Sequence, residues 1–144
     1  MRILVPILAA LAALAGCHAD PPANPADGPP VIRLPAVHGR PGVAYFVLSH
    51  EDGRGALIGV SSPQAARAEM HETMGGHDMS SMRPIARVPF ENGRIAFAPG
   101  GRHVMLFGLD PRLAPGGRAQ LAFRFEHGPP LTLDAQVQAP GGAP

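Results

Sequence analysis

The sequence predicts an all-β domain, an antiparallel sandwich or barrel. Glycine and proline number 18 each, a quarter of the 144 residues. That level suits many short strands and turns better than long helices. Turn signals recur about every ten residues: Asp52-Gly53, Asn92-Gly93, Pro99-Gly100-Gly101, Pro115-Gly116-Gly117 and Gly128-Pro129-Pro130. Between them, apolar side chains tend to alternate with a period of two, the mark of a half-buried strand.

The strands follow in order. Residues 43–49 (Val-Ala-Tyr-Phe-Val-Leu-Ser) are rich in β-branched and aromatic side chains. After Gly53 and Gly55, residues 56–60 form a second apolar run. Residues 67–73 alternate less cleanly, and only 64–70, a short stretch, has any helical character. Residues 94–98 and 104–109 are short strands flanked by Pro-Gly-Gly and Asp-Pro. In residues 119–125, Ala119, Leu121, Phe123 and Phe125 share one face. In residues 131–137, Leu131, Leu133, Ala135 and Val137 do the same.

The N-terminus reads as an export signal. Met1-Arg2 is a short positive start, followed by an apolar run over residues 3–15, broken only by Pro6. Such a run is too short for an ordinary membrane span and right for a signal-peptide core. It ends in Leu14-Ala15-Gly16-Cys17, which resembles the bacterial lipoprotein processing box. That resemblance implies removal of residues 1–16 and acylation of Cys17, the only cysteine. Two acyl chains on one residue hold a protein at a bilayer far better than one. His18 rather than Asp follows Cys17, which by the enterobacterial sorting pattern leans towards the outer membrane. Residues 17–30 contain a Pro-rich tether, expected to be extended and without a core. The domain proper spans 31–138, and 139–144 form a flexible tail. Lysine is absent and arginine supplies all 12 basic residues. Losing Arg2 with the leader leaves 11 Arg against 11 Asp plus Glu. A neutral chain without a basic run argues against nucleic-acid binding.

Five of the six methionines lie between Met70 and Met105, with His71, His77 and His103 in the same stretch. Thioether sulfur and imidazole nitrogen, with no thiol nearby, suit Cu(I); magnesium and calcium want oxygen. If residues 103–105 form a strand, His103 and Met105 point to one side and Val104 to the other. The preceding Pro99-Gly100-Gly101 turn then puts the pair near a rim. His71 and Met82 bracket ten residues that form either a hairpin loop or a flexible arm, and pairing of the flanks brings the two together. Met70 is expected in the core. A lone methionine is usually core filler, and His38, His50 and His127 fit a surface default. The coincidence of His-x-Met beside a turn with a histidine and four methionines upstream is what points to metal.

Residues from about 42 to 137 resemble the periplasmic copper chaperone family PCu(A)C. The resemblance rests on Gly42-Val43-Ala44-Tyr45, on residues 65–72 (Ala-Ala-Arg-Ala-Glu-Met-His-Glu), on Met82-Arg83-Pro84 and on residues 98–106 (Ala-Pro-Gly-Gly-Arg-His-Val-Met-Leu). The family pattern, a histidine, a methionine beyond it and a later His-x-Met, falls on His71, Met82, His103 and Met105. It implies a cupredoxin-like antiparallel β-sandwich of Greek-key type, Cu(I) bound by those four residues, and supply of copper to an acceptor such as the CuA centre of cytochrome oxidase. Two departures stand out. Glu72 occupies a place where relatives often carry methionine, and Met74, His77 and Met79 add auxiliary donors on a Gly- and Ser-rich segment.

The donor types fit a carrier. Thiolates oxidise or pair in an oxidising compartment, whereas thioethers do not form disulfides. The domain lacks the cysteine that a blue-copper centre needs. No acid–base pair or nucleophile constellation is legible, so no enzyme activity is expected. The reading is a lipid-anchored Cu(I) chaperone on the periplasmic face of a bacterial membrane. The alternative is a copper-sequestering resistance lipoprotein without a dedicated acceptor.

Overall fold

The computed structural model describes residues 28–49, 54–76 and 79–141. Cys17, His18, His50, His77 and Asp78 lie outside the described residues. Among the described residues, nine strands account for the regular structure: β1 (Val31–Arg33), β2 (Gly42–Ser49), β3 (Leu57–Ser61), β4 (Ala65–Gly76), β5 (Met79–Pro84), β6 (Arg94–Phe97), β7 (Arg102–Leu109), β8 (Arg118–Phe125) and β9 (Leu131–Gln138). They form one mixed sheet in the order β3-β8-β9-β1-β2-β7-β4-β5, with β6 branching from β2.

Alternation explains most of these strands. In β2, Gly42, Ala44, Phe46 and Leu48 are buried while the residues between them are not. In β8, Ala119, Leu121, Phe123 and Phe125 are the buried set, as the period-two pattern requires. In β9 the alternation holds, but only Ala135 and Val137 are fully covered.

The sheet closes on itself around one core. Phe46 on β2 stacks on Phe97 of β6, with ring centroids 4.5 Å apart. It also meets Phe123 of β8 edge-on at 4.7 Å. Strands β2 and β8 are not neighbours in the strand order, so that second contact crosses the interior and holds the two halves face to face. Aromatic pairs in these geometries add about 0.5–1.5 kcal/mol beyond the area they bury.

Three elements depart from the pattern in the sequence. β1 lies between β2 and β9 and runs parallel to β9, with Ile32 opposite Val137, so the sheet is mixed and not purely antiparallel. Three residues are too few to read by alternation. Residues 65–70 belong to β4, with no helix, because β7 supplies a ladder along their whole length. The segment after Gly76 returns as a strand, β5, paired with β4 from His71↔Pro84 to Gly76↔Met79.

A charged clip fastens the β3–β8 edge. The Glu126 carboxylate accepts the Ala56 N–H at 2.9 Å and two bonds from Arg87 at 2.6 and 3.2 Å. The Arg87 hydrogen bond and the Ala56 N–H hold its pKa down to about 2 from an ordinary 4.5. A carboxyl depressed on folding stabilises the native state above its unfolded pKa and loses that contribution as pH falls through the folded value. Glu126→Gln is therefore expected to be less stable than the parent above pH about 5. The gap should shrink between pH about 4.5 and 2. Urea unfolding of both proteins across that range measures it, and the other acids cancel in the comparison.

Candidate metal centre

The β4–β7 ladder builds the site. Its register sets His71 opposite His103, Glu69 opposite Met105 and Met70 opposite Val104. Facing residues in an antiparallel pair share a side of the sheet. Met70 and Val104 are buried in the core. Their neighbours His71, His103, Met105 and Glu69 therefore lie on the other side. Met82 on β5 is opposite Thr73, which places it on the His71 side and one pair along. All four residues expected to bind metal thus share one face.

The two imidazole rings have centroids 6.0 Å apart and are tilted by 32°. With metal–nitrogen distances of about 2 Å on each side plus the ring radii, one ion can sit between them. Among the described residues no three His, Cys, Asp or Glu side chains form a group able to hold a metal. Beside the two imidazoles the same face carries the Met82 and Met105 thioethers, a composition that favours a soft monovalent ion.

Exposure is graded along the site. His103 is buried, with 7% of its surface accessible, contrary to the rim position expected of it. The reason is local. His103 Nδ1 lies 3.0 Å from the Gly101 carbonyl oxygen, which holds the ring against the turn. Met105 is half-buried. Met82 is 59% exposed.

The Ala98–Gly101 turn earns its composition. Gly101 N–H donates to the Ala98 carbonyl at 3.0 Å, and Gly100 has φ +80°. Proline at the second position and glycine at the third define a type II turn. The Gly101 carbonyl that this turn presents also accepts the Thr73 N–H at 3.2 Å. One oxygen therefore continues the β4–β7 ladder and orients His103.

Glu72 and Met74 lie on the opposite side from His71, by alternation along β4. Glu72 is opposite Arg83 and Arg102 in register and pairs with them at 3.1 and 3.7 Å. Position 72 therefore does not belong to the His71 side, whatever residue fills it. Met74 is exposed and opposite Ser81. Met79 is opposite Gly76 at the end of the hairpin.

Sequence reasoning missed Glu69. Its Oε2 lies 3.2 Å from His71 Nε2, and its Oε1 pairs with Arg67 Nε at 2.9 Å. Arg67 in turn lies over the Phe107 ring, 4.3 Å from its centroid. Two-residue spacing along a strand, Arg67-x-Glu69-x-His71, was the available signal.

An all-β domain with a row of imidazole and thioether groups across one sheet face is the class that fold and site define. The chain belongs to the LpqE-like family: residues 28–137 match the model described as "Putative lipoprotein LpqE-like". It is 28% identical over 149 residues to "Putative lipoprotein Lxx21020" of Leifsonia xyli subsp. xyli, covering 95% of this chain and 89% of that protein. Its fold is similar to the copper-bound PCuAC domain from PmoF2, with TM-score 0.58 and 28% identity over 77% of this chain and 89% of that one. It also resembles the solution structure of CuI-DR1885 from Deinococcus radiodurans, with TM-score 0.57 and 24% identity over 83% of each chain. The cupredoxin-like expectation holds, since these neighbours are PCuAC domains.

Among the described residues nothing lies within 4 Å of a Cβ added at Gly100, so Gly100→Ala tests the backbone conformation. Its positive φ is expected to cost about 1 kcal/mol. The urea midpoint should fall accordingly, with strand content retained by circular dichroism.

Proposed function

We propose that this protein binds Cu(I) through His71, Met82, His103 and Met105 and delivers it to a copper-accepting partner such as the CuA centre of cytochrome oxidase. The observation that carries the reading is the His71–His103 register pair, with thioethers at both ends of the same sheet face. A neighbour at 28% identity is a copper-bound PCuAC domain, which supports copper as the cargo. The lipoprotein names of the family and of the Leifsonia relative support an extracytoplasmic, lipidated protein. On this reading Cys17 is the anchor, residues 17–30 are the tether, and 31–138 are the copper-binding domain. The outer membrane is favoured by His18 alone.

The graded exposure suits a carrier. His71 and His103 are placed by a shared ladder, while Met82 is on the terminal strand of the sheet order and open to solvent. A partner's ligand can replace Met82 first and reach the covered histidines last. We read the protein as a carrier and not an enzyme. Met74, His77 and Met79 serve as auxiliary donors: all three belong to a Gly- and Ser-rich segment, and Met74 lies on the other side of β4 from His71. A second ion held by them would instead support a copper-sequestering role.

An anaerobic titration of the protein against Cu(I), in competition with Zn(II), tests the metal. Selective uptake of one Cu(I) is expected, since zinc seldom accepts thioether ligands in proteins. Alanine at Met74, His77 and Met79 together should leave that first equivalent in place. Comparable zinc affinity, or loss of the first copper in the triple variant, contradicts the assignment. Delivery is tested by mixing the loaded protein with a metal-free CuA domain and following copper between them.

Mass spectrometry of the membrane-extracted protein tests the anchor. The mature chain is expected to begin at Cys17 and to carry acyl chains there. An unacylated chain cleaved at another position refutes it.

A further inference from the structure

We infer that Glu69 is a positioning residue that makes the two histidines present different ring nitrogens to the metal, Nδ1 from His71 and Nε2 from His103. The inference rests on the copper reading above and adds a residue and an atomic assignment to it.

The argument is one of donors and acceptors. An ionised carboxylate only accepts hydrogen bonds, and so does a backbone carbonyl. Glu69 Oε2 lies 3.2 Å from His71 Nε2, so in neutral His71 the proton resides on Nε2 and the free lone pair on Nδ1. The Gly101 carbonyl oxygen lies 3.0 Å from His103 Nδ1, so in neutral His103 the proton resides on Nδ1 and the lone pair on Nε2. The partners differ in kind, one a side chain and one a turn carbonyl, and they sit on opposite ring nitrogens. A metal-binding imidazole commonly donates its other N–H to a carboxylate or carbonyl, which fixes the tautomer and strengthens the lone pair.

Glu69 is itself held in place. Arg67 grips its second oxygen at 2.9 Å and rests over Phe107, its own register partner. A row from Phe107 through Arg67 and Glu69 to His71 therefore runs along the sheet face and ends at the metal position. Met105 is opposite Glu69 across the ladder. The carboxylate thus stands beside one proposed sulfur ligand and bonded to one proposed nitrogen ligand. A metal that took Nε2 of His71 instead would have to displace Glu69 and leave it facing Arg67 alone.

The test is nitrogen NMR on the full chain in detergent, labelled with ¹⁵N-histidine, with His71 and His103 assigned from single variants. Cu(I) is d¹⁰, so the loaded protein gives sharp spectra. Without metal, His71 is expected as the Nε2–H tautomer and His103 as the Nδ1–H tautomer. On loading, the shift should fall on Nδ1 of His71 and Nε2 of His103. Glu69→Gln keeps a carbonyl acceptor and should retain both tautomers and near-parental affinity. Glu69→Ala should mix the His71 tautomers, leave His103 unchanged and weaken Cu(I) binding tenfold or more. An Nδ1–H tautomer of His71 in the metal-free parent, a copper shift on its Nε2, or a Glu69→Ala variant with parental tautomer and affinity overturns the inference while leaving the copper reading intact. Copper that moves neither ring overturns both.

Discussion

The antiparallel ladder between β4 and β7 is the constraint on which the rest depends. A pleated strand sorts its side chains to two sides, and one register shift exchanges them wholesale. With His71 opposite His103, Met70 and Val104 fall into the core and the donors fall outside. Core packing and the placing of the proposed metal donors are therefore fixed by a single choice of register. The hydrophobic side enforces it: sliding β4 by one residue would bury Glu69 and His71 and expose Met70.

That coupling explains why the shared face of the candidate residues was partly legible. The His-x-Met spacing at 103–105 and the alternation of Met70 with His71 are period-two statements, and strands obey them. The register between distant strands is a different matter. Nothing in residues 65–76 names residues 102–109 as their partner, and the resemblance to PCu(A)C implied only that donors from both segments serve one ion. Burial of His103 was also out of reach, because it depends on where a carbonyl in the Ala98–Gly101 turn points. Strand β5 was hidden by its serines and by the two glycines that end β4, and β1 by its brevity.

The departures from the family pattern take on a physical meaning once faces are assigned. Glu72 lies between Arg83 and Arg102 on the far side of the ladder from His71. Glu69, three residues earlier, lies on the His71 side and holds a proposed ligand. Two acidic residues flank the same stretch of strand, and alternation alone separates a structural tie from a positioning contact.

The strand that carries Met82 has one further property. β5 is terminal in the sheet order, and an open strand edge invites other chains to pair with it. This edge is only six residues long and closes with Arg83-Pro84. Proline offers no N–H to a visiting strand, and a charged arginine resists burial beside one. The molecule thus keeps a sulfur open to solvent on a border that discourages self-assembly, which suits the proposed anchoring, where copies would crowd on a membrane surface.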